Sequence, residues 1–324
     1  MNQTAILIYG RIRLFSRLAV LVAIALSAIF RGFIADNNLT WQLTVAFIAL
    51  ALGIPHGAID HLISIPKGNP ARFATFVVIY TLIALLALAG ILHWNRWGFE
   101  VVVWMSAFHF GIGDLTYITE SDHLAGKKEI PSILRPLYLL AAGLTPVLLP
   151  LLHPKSNSAL KDINPKLIDW AASFSHSLKM TVIAIAVIAV VIFLAMKRIA
   201  EGIDLLLLLA LALLTPPLIA FAVYFGCWHA TRHTARLTLL LDSSRSALQE
   251  GNPKQAVMRA IIPGLPSLVG AVVLGLILSL TTTGGLSKTA LWSLLAIVWA
   301  LTVPHMLATF RFDIRSLKEK SIAP

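Results

Sequence analysis

The chain has 324 residues, of which 58% are hydrophobic and 13% carry a charge. An average soluble domain has about twice that share of charge, so the composition excludes an ordinary soluble protein and favours one that spans a membrane several times. The net charge of +11 would suit nucleic-acid binding, but the basic residues lie mostly between apolar runs, where they set membrane topology instead. The lone Cys227 excludes a disulfide framework and a cysteine metal cluster.

The apolar runs predict an all-α fold, a polytopic bundle of about ten membrane-spanning helices in a single integral-membrane domain over residues 1–324. The predicted spans are residues 14–34, 41–65, 73–94, 97–118, 132–152, 179–197, 203–215, 217–240, 262–282 and 290–311. The sequence TPPL at 215–218 fits either a tight turn between two spans or a break within one. Residues 242–261 are predicted to form a polar loop, and 164–178 an interfacial segment with Trp170 at headgroup level.

The distribution of positive charge orients these spans. Most of the 26 lysines and arginines fall in cytoplasmic segments if the N-terminus lies inside, so the sequence predicts that both termini are cytoplasmic. Tryptophans anchor helix ends at the membrane interface, and this orientation places four of them at outer ends. They are Trp41, Trp94, Trp97 and Trp292.

Five of the ten histidines fall inside predicted spans, namely His56, His109, His229, His233 and His305. At about 1.5 Å per residue, all five lie roughly 18–24 Å below the outer face. His229 and His233 are four residues apart and share one helix face. Polar groups at membrane depth are costly and usually functional, so this layer predicts a shared metal or cofactor site, with separate structural hydrogen bonds as the alternative. Imidazoles without thiolates suit iron, copper or zinc.

Two carboxylates accompany the histidines. Asp60 follows His56 by four residues and is placed to orient an imidazole. Asp114 follows His109 by five residues, off its face, so we expect it to meet a histidine on another helix or a cation. His305 has the same predicted depth as the other four histidines, and whether it binds the metal or supports the site stays open.

Small residues beside these histidines predict close packing. Gly53 and Gly57 stand one turn apart around His56, and Gly111 and Gly113 follow His109. Glycine at such positions lets a neighbouring helix approach closely within a membrane.

Four motifs carry a family resemblance: PHGAID at 55–60, HFGIGD at 109–114, WHATRH at 228–233 and PHM at 304–306. In this order they resemble the Brp/Blh family of integral-membrane β-carotene 15,15′-dioxygenases. The resemblance implies central oxidative cleavage of β-carotene by O2 to two molecules of all-trans-retinal, at a non-haem Fe(2+) site. Carried over motif by motif, the implied catalytic iron ligands are His56, His109, His229 and His233.

The resemblance also implies a multi-pass protein of the bacterial inner membrane, surrounded by lipid, that supplies retinal to a rhodopsin. It implies no nucleic-acid partner, and it leaves the preferred carotenoid and the oligomeric state open.

A hydrocarbon substrate of this kind offers no charge to grip, so an apolar tunnel has to choose which bond meets the metal. The aromatic residues near the motifs are the candidate substrate-binding walls, with ordinary packing as the alternative for each. They are Trp104, Phe108, Phe110, Tyr224, Phe225 and Trp228.

Two other functions are consistent with the same residues. Another metal-dependent membrane oxidase is one, although a bis-histidine haem is disfavoured because His229 and His233 lie on one helix and cannot take opposite axial positions. The other is a transporter or proton pathway built from intramembrane His, Asp and Arg232, although no inverted repeat is evident. Arg232 lies about 100° off the face of the two histidines, and we expect it to snorkel or to pair with Asp60 or Asp114.

Overall fold

The computed structural model of the chain describes residues 2–30, 39–65, 69–167, 170–270, 273, 277 and 288–322. Some side chains within these ranges, that of His56 among them, lie outside the described part. The described residues form helices joined by turns, with no strand among them. The predicted all-α fold is therefore confirmed.

Fourteen labelled helices follow one another along the described ranges. They are α1 (Asn2–Ile29), α2 (Leu39–Gly57), α3 (Asp60–Ser64), α4 (Pro70–His93), α5 (Asn95–Leu124), α6 (Arg135–Leu151), α7 (Pro154–Ile163), α8 (Ser175–Ala195), α9 (Ile199–Leu214), α10 (Pro217–Val223), α11 (Ala230–Leu240), α12 (Asp242–Gln249), α13 (Pro253–Ile261) and α14 (Lys288–Ile322). A π-helical segment, Tyr224–His229, joins α10 directly to α11.

Six of the described helices are long and apolar enough to cross a membrane, namely α1, α4, α5, α6, α8 and α14. The chain is therefore a helical membrane protein. Helix α9 has 16 residues and ends before Thr215 and Pro216, and α10 begins at Pro217. The TPPL sequence is thus a break between two helices. The predicted span at 262–282 lies partly outside the described residues.

One local prediction is wrong. Residues 242–261 form α12 and α13 instead of a polar loop, because each carries an apolar face that packs inward, including the buried Leu248 and Ala256. The side chain of Trp170 is 1% exposed and packs edge-on against Phe99, with ring centres 5.8 Å apart.

Helices α5 and α6 pack so closely that glycine is required where they cross. A Cβ atom added at Gly111 would lie 2.2 Å from the carbonyl oxygen of Leu139, and one at Gly143 would lie 2.0 Å from that of Ala107. Both neighbours are backbone atoms, which cannot swing aside. The expected role of Gly111 in close packing is therefore confirmed, and the contact holds the His109 segment of α5 against α6.

This crossing predicts a large difference between two glycine substitutions. Gly143→Ala should destabilise the protein by about 1–3 kcal/mol, because the added methyl group forces α5 and α6 apart. Gly90→Ala on α4 is the matched control, since nothing lies within 4 Å of the added atom. Thermal unfolding in detergent measures both, and equal melting temperatures for the two variants would contradict the close crossing.

Candidate metal centre

Four of the five predicted histidines meet in one buried cluster. The ring centre of His109 lies 5.1 Å from that of His229 and 5.2 Å from that of His305. The ring centre of His233 lies 6.2 Å from that of His229 and 5.9 Å from that of His305. All four residues are buried. The backbone of His56 lies in α2, and its side chain lies outside the described residues.

The π-helical segment keeps the histidine face in register along its helix. In an α-helix a step of four residues overshoots one turn by about 40°, so a face of residues spaced by four drifts steadily around the axis. A π-turn takes more residues per turn, so the same step falls short of one turn and reverses the drift. The segment Tyr224–His229 contains the step from Phe225 to His229, whose rings stack at 25° with centres 6.0 Å apart. His233 follows one turn later.

Helix α14 supports the cluster from the opposite side. The Nδ1 atom of His305 lies 2.9 Å from Oδ2 of Asp60, and the hydroxyl of Tyr80 donates to the same oxygen over 3.3 Å. The Oγ1 atom of Thr309 donates to the carbonyl of His305 over 2.9 Å and lies 3.3 Å from Nδ1 of His109. Asp60 therefore contacts an imidazole of α14. Sequence analysis missed Tyr80 and Thr309, although Thr309 lies one turn after His305.

Glycine also gives the rings access to neighbouring helices. A Cβ atom added at Gly57 would lie 3.3 Å from Nδ1 of His305, and one at Gly113 would lie 3.8 Å from Cε1 of His229. At Gly53 it would lie 2.0 Å from the ring of Phe225. At these glycines the close neighbours are side chains, whereas at Gly111 the close neighbour is backbone.

The cluster offers imidazole donors in a buried setting, as a metal site would. Two imidazoles bound at about 2.1 Å to one metal have ring centres about 4.6 Å apart at right angles and about 6.5 Å apart when opposed. The separation of His109 from His229, 5.1 Å, and that of His229 from His233, 6.2 Å, lie between these limits. Among the described residues, however, no three His, Cys, Asp or Glu side chains converge on one point as they stand. Metal binding would therefore require the imidazole rings to turn about their side-chain bonds, which needs no movement of the helices.

A buried ion-pair network lies against this cluster. Asp114 accepts hydrogen bonds from Nε1 of Trp228 over 3.0 Å and from NH1 of Arg232 over 3.0 Å. The NH2 atom of Arg232 also lies 3.2 Å from Asp204, and its guanidinium stacks 3.6 Å above the Trp228 ring. Of the two partners expected for Asp114, a cation is the one observed. The network fixes the residue that immediately precedes His229.

The network extends to the first helix. Asp204 accepts from Nε of Arg17 over 2.6 Å and pairs with NH2 of Arg13 at 2.9 Å. Sequence analysis missed Asp204, although an acid inside the apolar run of α9 is the signal that should have revealed it.

A second buried group joins α1, α5, α11 and α14. Arg236 pairs with Glu120 at 3.2 Å and with Asp313 at 2.6 Å, and the hydroxyl of Tyr9 donates to Glu120 over 2.8 Å. Because each of these four side chains comes from a different helix, the group ties the four helices together.

An apolar cavity of about 450 Å³ opens beside the histidines and is lined by His109, His229 and His305. Phe110 and Phe225 are the predicted wall residues that line it. The other predicted wall residues lie away from it: Phe108 is half exposed on the outer surface, Trp104 packs on the hydrophobic core, and Tyr224 and Trp228 are fully buried. Sequence analysis missed Phe221, Trp299 and Met306, which also line the cavity.

The comparison with known families agrees with these features. The family model described as beta-carotene 15,15'-dioxygenase matches residues 47–310, which include all five histidines. The chain belongs to the β-carotene 15,15′-dioxygenase family.

Two curated relatives extend this finding. The chain is 26% identical over 298 residues to a probable beta-carotene 15,15'-dioxygenase Blh from Halobacterium salinarum, covering 80% of each chain. It is 29% identical over 270 residues to a beta-carotene 15,15'-dioxygenase from an uncultured marine bacterium, covering 80% of this chain and 90% of the relative. No solved structure matches the chain significantly.

The buried network predicts how substitutions at Arg232 behave. Arg232→Ala leaves Asp114 and Asp204 without this cation in a buried site and should cost about 3–5 kcal/mol. Arg232→Lys keeps the charge but loses the planar fork, so it should fold with a smaller loss. Arg245→Ala removes an exposed pair with Asp242 and serves as the control, expected within about 1 kcal/mol of the unsubstituted protein. Thermal unfolding in detergent ranks the three, and an Arg232→Ala protein as stable as Arg245→Ala would refute the network's role.

Proposed function

We propose that the protein is an integral-membrane β-carotene 15,15′-dioxygenase that cleaves β-carotene at its centre with O2. The 15,15′ double bond breaks and one oxygen atom joins each of the two carbons, so that one β-carotene and one O2 give two molecules of retinal. The observation that carries the proposal is a cluster of buried imidazoles that opens on an apolar cavity within a helical membrane protein. Membership of the β-carotene 15,15′-dioxygenase family supports it.

The proposed cofactor is Fe(2+), held by His56, His109, His229 and His233 as the family motifs imply. When bound, iron supplies the one-electron chemistry that lets O2 react with a closed-shell hydrocarbon. The protein orients the imidazoles: Thr309 contacts His109, and the ring of His305, fixed by Asp60, packs edge-on against His109 at 77°. We therefore propose that His305 and Asp60 position the ligand rings.

The cavity beside the histidines is the proposed binding site for the hydrocarbon substrate. Its apolar lining excludes water from the histidines and binds a hydrocarbon through burial of apolar area. We propose that Phe110 and Phe225 hold the polyene beside the histidine rings. Entry directly from the lipid avoids passage of an insoluble substrate through water.

We further propose the predicted topology of about ten spans with both termini in the cytoplasm, in a bacterial inner membrane. The retinal released there is available to an apoprotein such as a rhodopsin in the same bilayer. The six long apolar helices support the membrane location.

The ion-pair network favours this enzyme over a proton pathway. Asp114 and Asp204 both accept charged hydrogen bonds from arginines, and these pairs cross between α1, α5, α9 and α11. The arginine pairs tie these carboxylates into the helix packing, which accounts for both acids without a proton relay.

The direct test is expression in a bacterium that makes β-carotene, with retinal measured by chromatography. We expect β-carotene to be lost and retinal to accumulate with the O2 supply. A membrane-inserted, iron-containing protein that leaves β-carotene unchanged would refute the proposed activity.

The ligand assignment predicts the iron content of histidine variants. Alanine substitution of His56, His109, His229 or His233 should remove most of the bound iron, whereas His305→Ala should keep most of it. His123→Ala, at an exposed position on α5, is the control. Elemental analysis of purified protein provides the measurement. If His305→Ala loses iron as completely as the others while one of the four keeps it, the assignment is wrong.

The cavity wall predicts a contrast between two neighbouring phenylalanines. Phe110→Ala widens the cavity beside the histidines, so the polyene should slip and kcat/KM should fall about tenfold, with off-centre apocarotenals beside retinal. Phe108→Ala removes a side chain that is 48% exposed on the outer surface and should change neither. Chromatography of the aldehydes distinguishes the two, and an identical product profile would rule out Phe110 as part of the substrate wall.

A further inference from the structure

A second, smaller cavity adjoins the one that contains the histidines. Its volume is about 160 Å³, against about 450 Å³ for the larger cavity. Ser106, Phe221 and Trp299 line both cavities. These three side chains therefore stand between two adjoining spaces, and we call them the neck.

The second cavity has an apolar wall. Helix α7 and the end of α6 contribute Ala159, Leu160 and Leu151, none of which lines the larger cavity. The two hydroxyl groups on the described wall are already engaged: Ser156 donates to the carbonyl of Pro150 over 2.5 Å, and Ser106 lies 3.9 Å from the sulfur of Met306. The cavity therefore favours a hydrocarbon.

The volume of the second cavity suits one ring. An apolar cavity of about 150 Å³ in another protein stays dry and binds benzene. The substrate proposed above is a long polyene with a methyl-substituted six-membered hydrocarbon ring at each end. One end group therefore matches the second cavity in chemistry, and the cavity has room for a single ring and no more.

An aromatic face leads from the histidines to the neck. The rings of Phe221 and Phe225 stack at 13° with centres 5.9 Å apart, and Phe225 stacks in turn on His229. Phe221 and His229 are eight residues apart, or about 12 Å along the helix. A C40 chain is about as long as the bilayer core is thick, roughly 30 Å, so half of it spans about 15 Å. A ring just beyond the neck would therefore place the middle of the chain beside the histidines.

We infer that the second cavity binds one terminal ring of the substrate and thereby selects the bond that is cleaved. The inference rests on the function proposed above. Because a hydrocarbon has no polar group to anchor it, its position along the cavity has to be set sterically. The wall of α7 stops the leading ring, and the neck of Phe221 and Trp299 passes the polyene. The second cavity, which we call the ring seat, thus fixes the distance from the terminal ring to the bond that is cleaved.

Two substitutions that change the volume of the second cavity in opposite directions test this role. Ala159→Phe fills the second cavity, and Leu160→Ala enlarges it. The control is Ala74→Phe, which adds the same bulk on the exposed surface of α4. Each protein is purified from membranes that contain β-carotene, and the bound carotenoid per protein, the iron content and the aldehyde products are measured.

We expect Ala159→Phe to lower bound β-carotene by at least about tenfold, because the leading ring no longer buries its apolar surface. Its remaining products should be aldehydes of unequal length. Leu160→Ala should bind β-carotene and give unequal aldehydes beside retinal, so it remains informative if Ala159→Phe does not fold. Ala74→Phe should give retinal alone, and iron content should be unchanged throughout.

Normal carotenoid binding by Ala159→Phe with retinal as the sole product would overturn the ring seat, as would retinal alone from Leu160→Ala. In both cases the dioxygenase activity of the unsubstituted protein would still stand. If the unsubstituted protein itself gives no retinal, the proposed function fails instead.

Discussion

The buried guanidinium of Arg232 is the interaction on which the rest of the site depends. It pairs with Asp114 on α5 and Asp204 on α9 and stacks on Trp228, in a chain whose other helices are largely apolar. Removing charges from water is so costly that they persist only in close, hydrogen-bonded pairs. The network therefore holds α5 and α9 against the segment that carries Trp228 and Arg232, and this arrangement brings His109 against His229.

The π-helical segment aligns a row of aromatic and imidazole rings along one side of its helix. Because it offsets the drift of an α-helix, Phe221, Phe225, His229 and His233 follow one another along one side. The polar end of that face belongs to the histidine cluster, and its apolar end leads to the neck between the two cavities. A hydrocarbon lying along this face meets the imidazoles at one point of its length.

Hydropathy was sufficient to predict the long apolar helices, because these need only composition and length. It missed α12 and α13, which are polar on one side. The proximity of His109, His229, His233 and His305 was also predictable, since rise per residue gave them similar positions along their helices. The sequence could not predict whether each aromatic side chain faces the cavity or the outer surface, because that depends on the rotation of its helix. Phe108 and Phe110 differ by two residues, and one faces outward while the other lines the cavity. The partners of Asp60 and Asp204 come from distant helices, so no local spacing could reveal them.

Iron binding by the buried imidazoles is the proposal on which the function depends. X-ray absorption at the iron edge, recorded on the purified protein in detergent, tests it most directly. We expect nitrogen and oxygen neighbours with the outer-shell scattering of several imidazole rings, and loss of that signal in His229→Ala. Iron bound by sulfur or haem, or a spectrum unchanged by His229→Ala, would contradict it.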